Sequence, residues 1–295
     1  ITVSGFLIGL LYLTGQTKLK EWKKFVEKVK APKKKTIDIA IIGKYFGTGE
    51  YQLRDSYAAL FDAIDHAGWA EGVNIKTHWV NAEKIEKEGA EKIIGTPDAI
   101  IVPIGWGERG AEGMISAADY ARKNNIPYLG LCYGMQLAVI AFARSVLKWR
   151  DANTTENEAK SKHPVIYMIP TQKELMERRA YGGTMRLGGW DAKVKKKTLA
   201  FELYKKYDQF IDESKGLTSE RHRHRYEVNG KYAEDLEKAG LVISARSVQE
   251  GLVEIVEVPD HPYYIGTQGH PEYKSRPLKP HPVFLGLVAA AAKDK

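Results

Sequence analysis

With 295 residues, 43% of them hydrophobic and 10% aromatic, the chain can bury a full core, which excludes a disordered or fibrous protein. A single cysteine excludes an intrachain disulfide framework and fits a reducing, cytoplasmic compartment. The net charge of +8 would suit an anionic partner, but the lysines are spread over Lys18 to Lys35, Lys193 to Lys197 and scattered helix faces without interleaved aromatics. A solvated surface is therefore expected, with no nucleic acid as partner, and anionic small molecules stay compatible.

Residues 1 to 17 are uncharged and strongly apolar, yet they just reach the lower limit of a membrane span and contain Ser, Gly and Thr. They lack the basic start of a secretory signal. They are expected to pack on the body or to be the cut edge of a larger polypeptide, with no membrane as partner. Lys18 to Lys35 reads as a lysine-rich linker helix ending at Ala31-Pro32, so a first unit of residues 1 to 35 is expected to precede a domain of residues 36 to 295.

From Ile37 onward short β-branched runs alternate with amphipathic stretches. IDIAIIGKY reads as a strand, Ala58 to Ala67 as a helix stopping at Gly68, VNIKTHWV as a strand and Ala82 to Ile94 as a helix. DAIIVPI is a third strand, Ala111 to Lys123 a helix, IPYLGLC a fourth strand and Met135 to Val146 a helix. This alternation predicts an α/β fold, a doubly wound and mostly parallel sheet with helices on both faces. After Trp149 the rhythm breaks. The polar stretch 151 to 162, the glycine-rich Arg178 to Gly189 and the basic Lys193 to Lys197 read as loops and cover elements. LVISARS, LVEIVEVP and YYIGTQ suggest additional strands at the far side of the sheet, and a helix over Pro282 to Ala292 closes the chain.

The only cysteine, Cys132, lies in Gly130-Leu131-Cys132-Tyr133-Gly134 between a predicted strand and a predicted helix. A G-x-nucleophile-x-G turn exposes the side chain in a strained conformation, and its glycines keep the flanks free of Cβ clashes. The helix start favours the thiolate. Locally, a small buried hydrophobe is an equal alternative, so partners must decide. Gly269-His270-Pro271-Glu272 supplies them: proline biases His270 toward extended geometry, in which residues i and i+2 face the same way and Glu272 can orient the imidazole. Ligands of α/β sheets bind outside the carboxyl ends of the strands, where Cys132, His270 and the loop Ile104-Gly105-Trp106-Gly107 all fall. The backbone amides of Tyr133 and of the Gly105 loop are the expected oxyanion donors.

These residues, with Gly182-Gly183-Thr184-Met185-Arg186-Leu187-Gly188, Asp151-Ala152-Asn153-Thr154-Thr155-Glu156, Arg221 to Asn229 and His270-Pro271-Glu272-Tyr273, carry a resemblance over about residues 20 to 290. The chain resembles the class I, triad-type glutamine amidotransferase domain of the CTP synthases. The resemblance implies Cys132 as the nucleophile toward L-glutamine, His270 as base, Glu272 as its orienter, and Gly105 and Tyr133 as the oxyanion hole. It implies that Gly105, Tyr133, Gln136, Glu156 and Arg225 hold glutamine, and that Thr184, Met185 and Arg186 belong to a lid near the site that responds to GTP. It further implies an amidoligase (synthase) domain as partner, to which ATP and magnesium belong, a possible homo-oligomer, and no cofactor or metal in this domain. No G-x-x-x-x-G-K-[ST] element occurs in these residues, so ammonia release rather than CTP formation is expected of them.

From the residues alone, Gln136 could be a polar surface residue, Glu156 a solvated loop acid, and Arg221-His222-Arg223-His224-Arg225 an anion-binding edge, a nucleic-acid patch or a metal pair. Three departures from the family pattern carry expectations of their own. Ile104 stands where a glycine is usual and would cost on the order of 1 to 3 kcal/mol if that position took φ > 0. Tyr133 replaces a leucine and changes the wall. Gly269 replaces an aromatic and should loosen the packing of the base. An alternative function follows: the same fold with impaired hydrolysis, acting as a glutamine- or nucleotide-responsive regulatory or interaction module. A hydrolase of γ-glutamyl peptides is a third reading, against which GTMRLG and RHRHRYEVN argue.

Overall fold

The structure, a computed structural model, describes residues 19–48, 51–52, 54–169 and 185–293. The uncharged segment 1 to 17, Gly182, Gly183 and Thr184 of the expected lid lie outside the described residues. Helix α1 (residues 19–30) is tied to the body through Phe25, whose ring meets Trp69 of the next helix edge to face at 5.6 Å.

Strand β1 (Thr36–Gly43) alternates between two apolar layers: Ile37, Ile39 and Ile41 join one cluster, Ala40 and Ile42 the other. A strand buried on both faces is the signature of a sheet covered by helices on each side. A two-stranded ribbon, β2 (Gly47–Thr48) and β3 (Tyr51–Gln52), precedes helix α2 (Ala58–Glu71). Then come β4 (Asn74–Asn81), α3 (Ala82–Glu88), α4 (Ala90–Ile94), β5 (Ala99–Val102), α5 (Ala111–Lys123), β6 (Tyr128–Leu131) and α6 (Tyr133–Ser145). The second half supplies β7 (Asn153–Thr154), β8 (Pro164–Met168), β9 (Arg186–Val194), β10 (Leu217–His224) and β11 (Tyr226–Val228). It ends with β12 (Val242–Ser247), β13 (Val253–Glu257), β14 (Tyr264–Thr267) and a helix over Pro282–Ala291.

Among the described residues the main sheet has nine strands in the order β10-β9-β12-β13-β14-β6-β5-β1-β4. From β14 to β4 the pairings are parallel, and from β10 to β14 they are antiparallel. The expected α/β architecture with added antiparallel strands is the one observed.

Several boundaries differ from expectation for identifiable reasons. Helix α2 runs through Gly68, which presses on the Ile75 side chain, and stops at Gly72, whose φ of 72° makes it the left-handed cap. The helix expected over 82 to 94 is broken by Gly89, with φ 88°. Lys193 lies in β9, not in a loop, and Arg221 to His224 lie in β10. Strand β10 alternates buried and exposed positions, but its buried members are Thr218, Glu220, His222 and His224, so no apolar alternation announces it.

Candidate active site

The elbow is built as its glycines require. Cys132 takes φ 51° and ψ −99° between the end of β6 and the first residue of α6, a conformation that strains a residue carrying a Cβ. Its N–H is held by the Thr267 carbonyl of the neighbouring strand at 2.7 Å. A Cβ on Gly130 would come within 2.7 Å of the Gly134 backbone, and one on Gly134 within 2.0 Å of the Val102 carbonyl oxygen. Close backbone approach, rather than positive φ, is what both glycines serve. Tyr133 is the first residue of α6, so its N–H lacks an intrahelical acceptor and is free for a ligand. The thiol is buried, as the small-hydrophobe alternative required, but it lines a cavity and is not sealed in the core.

His270 and Glu272 meet as an orienting pair. His270 Nδ1 and Glu272 Oε1 are 2.7 Å apart, both side chains are buried, and the His270 N–H donates to the Arg221 carbonyl at 2.7 Å. The route differs from the expected extended tripeptide: Pro271 starts a 3₁₀ turn over Pro271–Tyr273, and this turn folds Glu272 back beneath the ring. Burial works against the imidazolium. The adjacent Cys132 sulfur and the hydrogen-bonded Glu272 carboxylate outweigh it and raise the His270 pKa to about 11. The ring is held at Nδ1 by Glu272, and the Cys132 sulfur acts on it both through charge and through a side-chain hydrogen bond.

The three departures have outcomes that sequence could not give. Neither Ile104 nor Gly105 is in the left-handed region, so Ile104 carries no strain of that kind; its side chain packs against the apolar layer under the loop. Tyr133 forms part of the wall and also bonds the loop, its hydroxyl donating to the Gly107 carbonyl at 2.8 Å. Gly269 does not loosen the base. It is buried, and a Cβ there would lie 2.8 Å from the Glu220 Cβ, so the Glu220 side chain of β10 packs where a side chain on residue 269 would otherwise sit. Glu220 is anchored in turn by the Tyr204 hydroxyl at 2.5 Å and His281 Nε2 at 3.0 Å. Gly269→Ala is accordingly expected to cost about 1 to 3 kcal/mol by overpacking; a thermal unfolding midpoint equal to that of the unaltered chain would refute this.

One cavity of about 230 Å³ gathers Cys132, Gly105, Tyr133, Gln136, Glu156 and Arg225, together with Met185. Gln136 is only 3% exposed, which removes the surface reading; its Nε2 donates to the Tyr226 carbonyl at 2.7 Å and to Gln268 Oε1 at 3.1 Å. Glu156 is no solvated loop acid either. It accepts the Gly107 N–H at 3.0 Å, and burial raises its pKa. Arg186, expected in the lid, is instead the first residue of β9, 3% exposed and 2.6 Å from Glu254 Oε1. The basic run splits by strand alternation: Arg221 and Arg223 are exposed, whereas His222 and His224 are buried beside Arg186, with burial and then the guanidinium lowering their pKa values to about 2 and about 3. The two imidazoles therefore face inward and stand apart from the basic face of this run, which Arg221 and Arg223 present.

Three contributors escaped the sequence reading. Gln268 Nε2 approaches Cys132 Sγ at 3.5 Å, Lys44 Nζ donates to the Gly107 carbonyl at 2.8 Å, and Asn157 Nδ2 donates to the Tyr133 hydroxyl at 3.2 Å. For Lys44 and Gln268 a signal existed: each lies at the carboxyl end of a run read as a strand, one residue past the observed β1 and β14, at the edge where sites form. Asn157 had none.

The sequence profile of the family "Glutamine amidotransferase class-I" matches residues 52–290. CTP synthase of Caldanaerobacter subterraneus subsp. tengcongensis is 49% identical over 94% of this chain and 48% of its own length. CTP synthase of Pyrococcus abyssi is 48% identical over 94% of this chain, again 48% of its own length. The chain thus spans about half the length of these relatives. Among solved structures, the glutaminase domain of Trypanosoma brucei CTP synthase with bound acivicin superposes with a TM-score of 0.76 at 37% identity, covering 87% of this chain and 94% of that one. A profile match over most of the chain, together with a thiol elbow that lines a cavity and an oriented imidazole beside the thiol, places the chain in the class-I glutamine amidotransferase family, alongside the glutaminase domains of CTP synthases.

Proposed function

We propose that this chain hydrolyses L-glutamine to glutamate and ammonia, and that the ammonia serves a CTP synthase amidoligase domain for amination of UTP. The observation that carries the reading is the convergence of Cys132 and the His270–Glu272 pair with the residues lining one cavity. The Cys132 sulfur attacks the glutamine carboxamide carbon, and the oxyanion that forms is met by the Tyr133 and Gly105 N–H groups. The carbon–nitrogen bond breaks as the His270 imidazolium gives its proton to the departing nitrogen, releasing ammonia and leaving a γ-glutamyl thioester. Water then attacks the thioester with His270 as base, and glutamate leaves. Glu156 and Arg225 bring opposite charges to the cavity, which matches the two ends of an amino acid.

Met185, which lines the cavity just before β9, is the described residue expected to belong to a lid, with GTP the lid's expected effector, and ATP with magnesium acts in the synthase half. Ammonia release from glutamine, with and without GTP, tests the reading, and the absence of release in both cases would overturn it. The regulatory alternative loses its basis because Ile104 is unstrained and Gly269 is tightly packed. Among the described residues no helix is long and apolar enough to cross a membrane.

A further inference from the structure

Gly107, at the end of the oxyanion loop with φ 72°, has both polar backbone atoms held by side chains from three separate segments. Its carbonyl accepts from Lys44 Nζ and from the Tyr133 hydroxyl, each at 2.8 Å, while its N–H donates to Glu156 Oε1 at 3.0 Å. The Tyr133 oxygen accepts in turn from Asn157 Nδ2 at 3.2 Å, and Lys44 Nζ stands 4.9 Å from the centroid of the same ring. That ring also lies under Gly105, where an added Cβ would be 3.0 Å from Tyr133 Cδ1. Tyr133 is 2% and Lys44 5% exposed, so a turn of the loop would leave buried donors without acceptors.

We propose that the Tyr133 side chain is a positioning residue of the oxyanion hole: its hydroxyl, together with the Lys44 ammonium, fixes the Gly107 carbonyl and so holds the Gly105 N–H toward the oxyanion formed at Cys132. The inference rests on the glutaminase reading above. One residue then serves the hole twice, donating its own amide and setting the orientation of the other donor. A leucine at this position could supply the amide and the apolar floor beneath Gly105, but not the bond to Gly107.

The test uses the full chain carrying Tyr133→Phe and, separately, Lys44→Met. Both are expected to lower kcat for glutamine hydrolysis about tenfold, with KM within about twofold, because only the transition state carries the charge that the loop must meet. Capture of Cys132 by a glutamine chloroketone, in which the sulfur adds to the ketone as a tetrahedral thiohemiketal oxyanion and then displaces chloride to leave a thioether, should slow in parallel. Alkylation by iodoacetamide needs no oxyanion hole and should keep its rate. A Tyr133→Phe chain with unchanged kcat, or an equal slowing of iodoacetamide, overturns the proposal, the latter showing that the hydroxyl acts on the thiol or on the fold. Ammonia release by the unaltered chain tests the glutaminase reading separately. Were there none, the chloroketone-to-iodoacetamide rate ratio of the variants against the unaltered chain still decides the clamp, and Lys44→Met stands in if Tyr133→Phe does not fold.

Discussion

Cys132→Ala is expected to abolish ammonia release from glutamine, a fall of about 10⁴-fold or more in kcat, because no other group in the cavity can form the thioester. What survives is the contribution of binding and of the backbone donors, which alone leaves a small residual rate over water. Glutamine affinity should stay within about threefold, since Glu156 and Arg225 line the cavity independently of the sulfur. The loss of one buried sulfur atom leaves the Thr267 hydrogen bond to the residue 132 backbone in place, so the fold should persist. Steady-state ammonia release and calorimetric glutamine binding on the same preparation check both halves. A retained rate above about one per cent of the unaltered chain would remove Cys132 from the mechanism.

Gly134→Ala is expected to fail differently, losing stability and activity together. Its Cβ would sit 2.0 Å from the Val102 carbonyl oxygen, a backbone atom of β5 that has no rotamer by which to retreat. Helix α6 and β5 must separate, at or above the upper end of the roughly 1 to 3 kcal/mol typical of overpacking. The oxyanion loop begins immediately after Val102 and the nucleophile sits at the start of α6, so the same displacement pulls the thiol away from the loop. Thermal unfolding and ammonia release should therefore fall in concert. A native-like midpoint with full activity would show that the elbow tolerates a methyl group, and the geometric account of its glycines would be wrong.

The parallel half of the fold was legible because its strands are nearly continuous apolar runs between amphipathic helices, and the elbow because its glycines flank a reactive residue at a strand end. The antiparallel extension was not. Strand β10 buries Glu220, His222 and His224 by pairing them with Tyr204, His281, Arg186 and Glu254, partners distant in sequence, so its pattern looks polar until the fold supplies those partners. The same blindness produced the error at Gly269, whose neighbour is Glu220 of that strand. The backbone at Ile104 was left open by the sequence for a different reason. A loop's backbone angles depend on what clamps it, and the clamp on Gly107 comes from Lys44, Tyr133 and Glu156, three segments that no local window contains.

The spacing of the two reacting side chains is a property of the ladder. Strands β6 and β14 are adjacent and parallel, with Leu131 opposite Thr267; Cys132 is one step beyond the first and His270 three beyond the second. Neighbouring strands are held about 4.8 Å apart by their hydrogen bonds, and a slip of one residue would turn every side chain to the opposite face, so the dyad is set by a discrete register that cannot drift. Segments bearing on selectivity and control hang from the edge of that ladder. They can lengthen, shorten or change chemistry over generations without retuning the distance between sulfur and imidazole, which gives one hydrolytic geometry room to serve different masters.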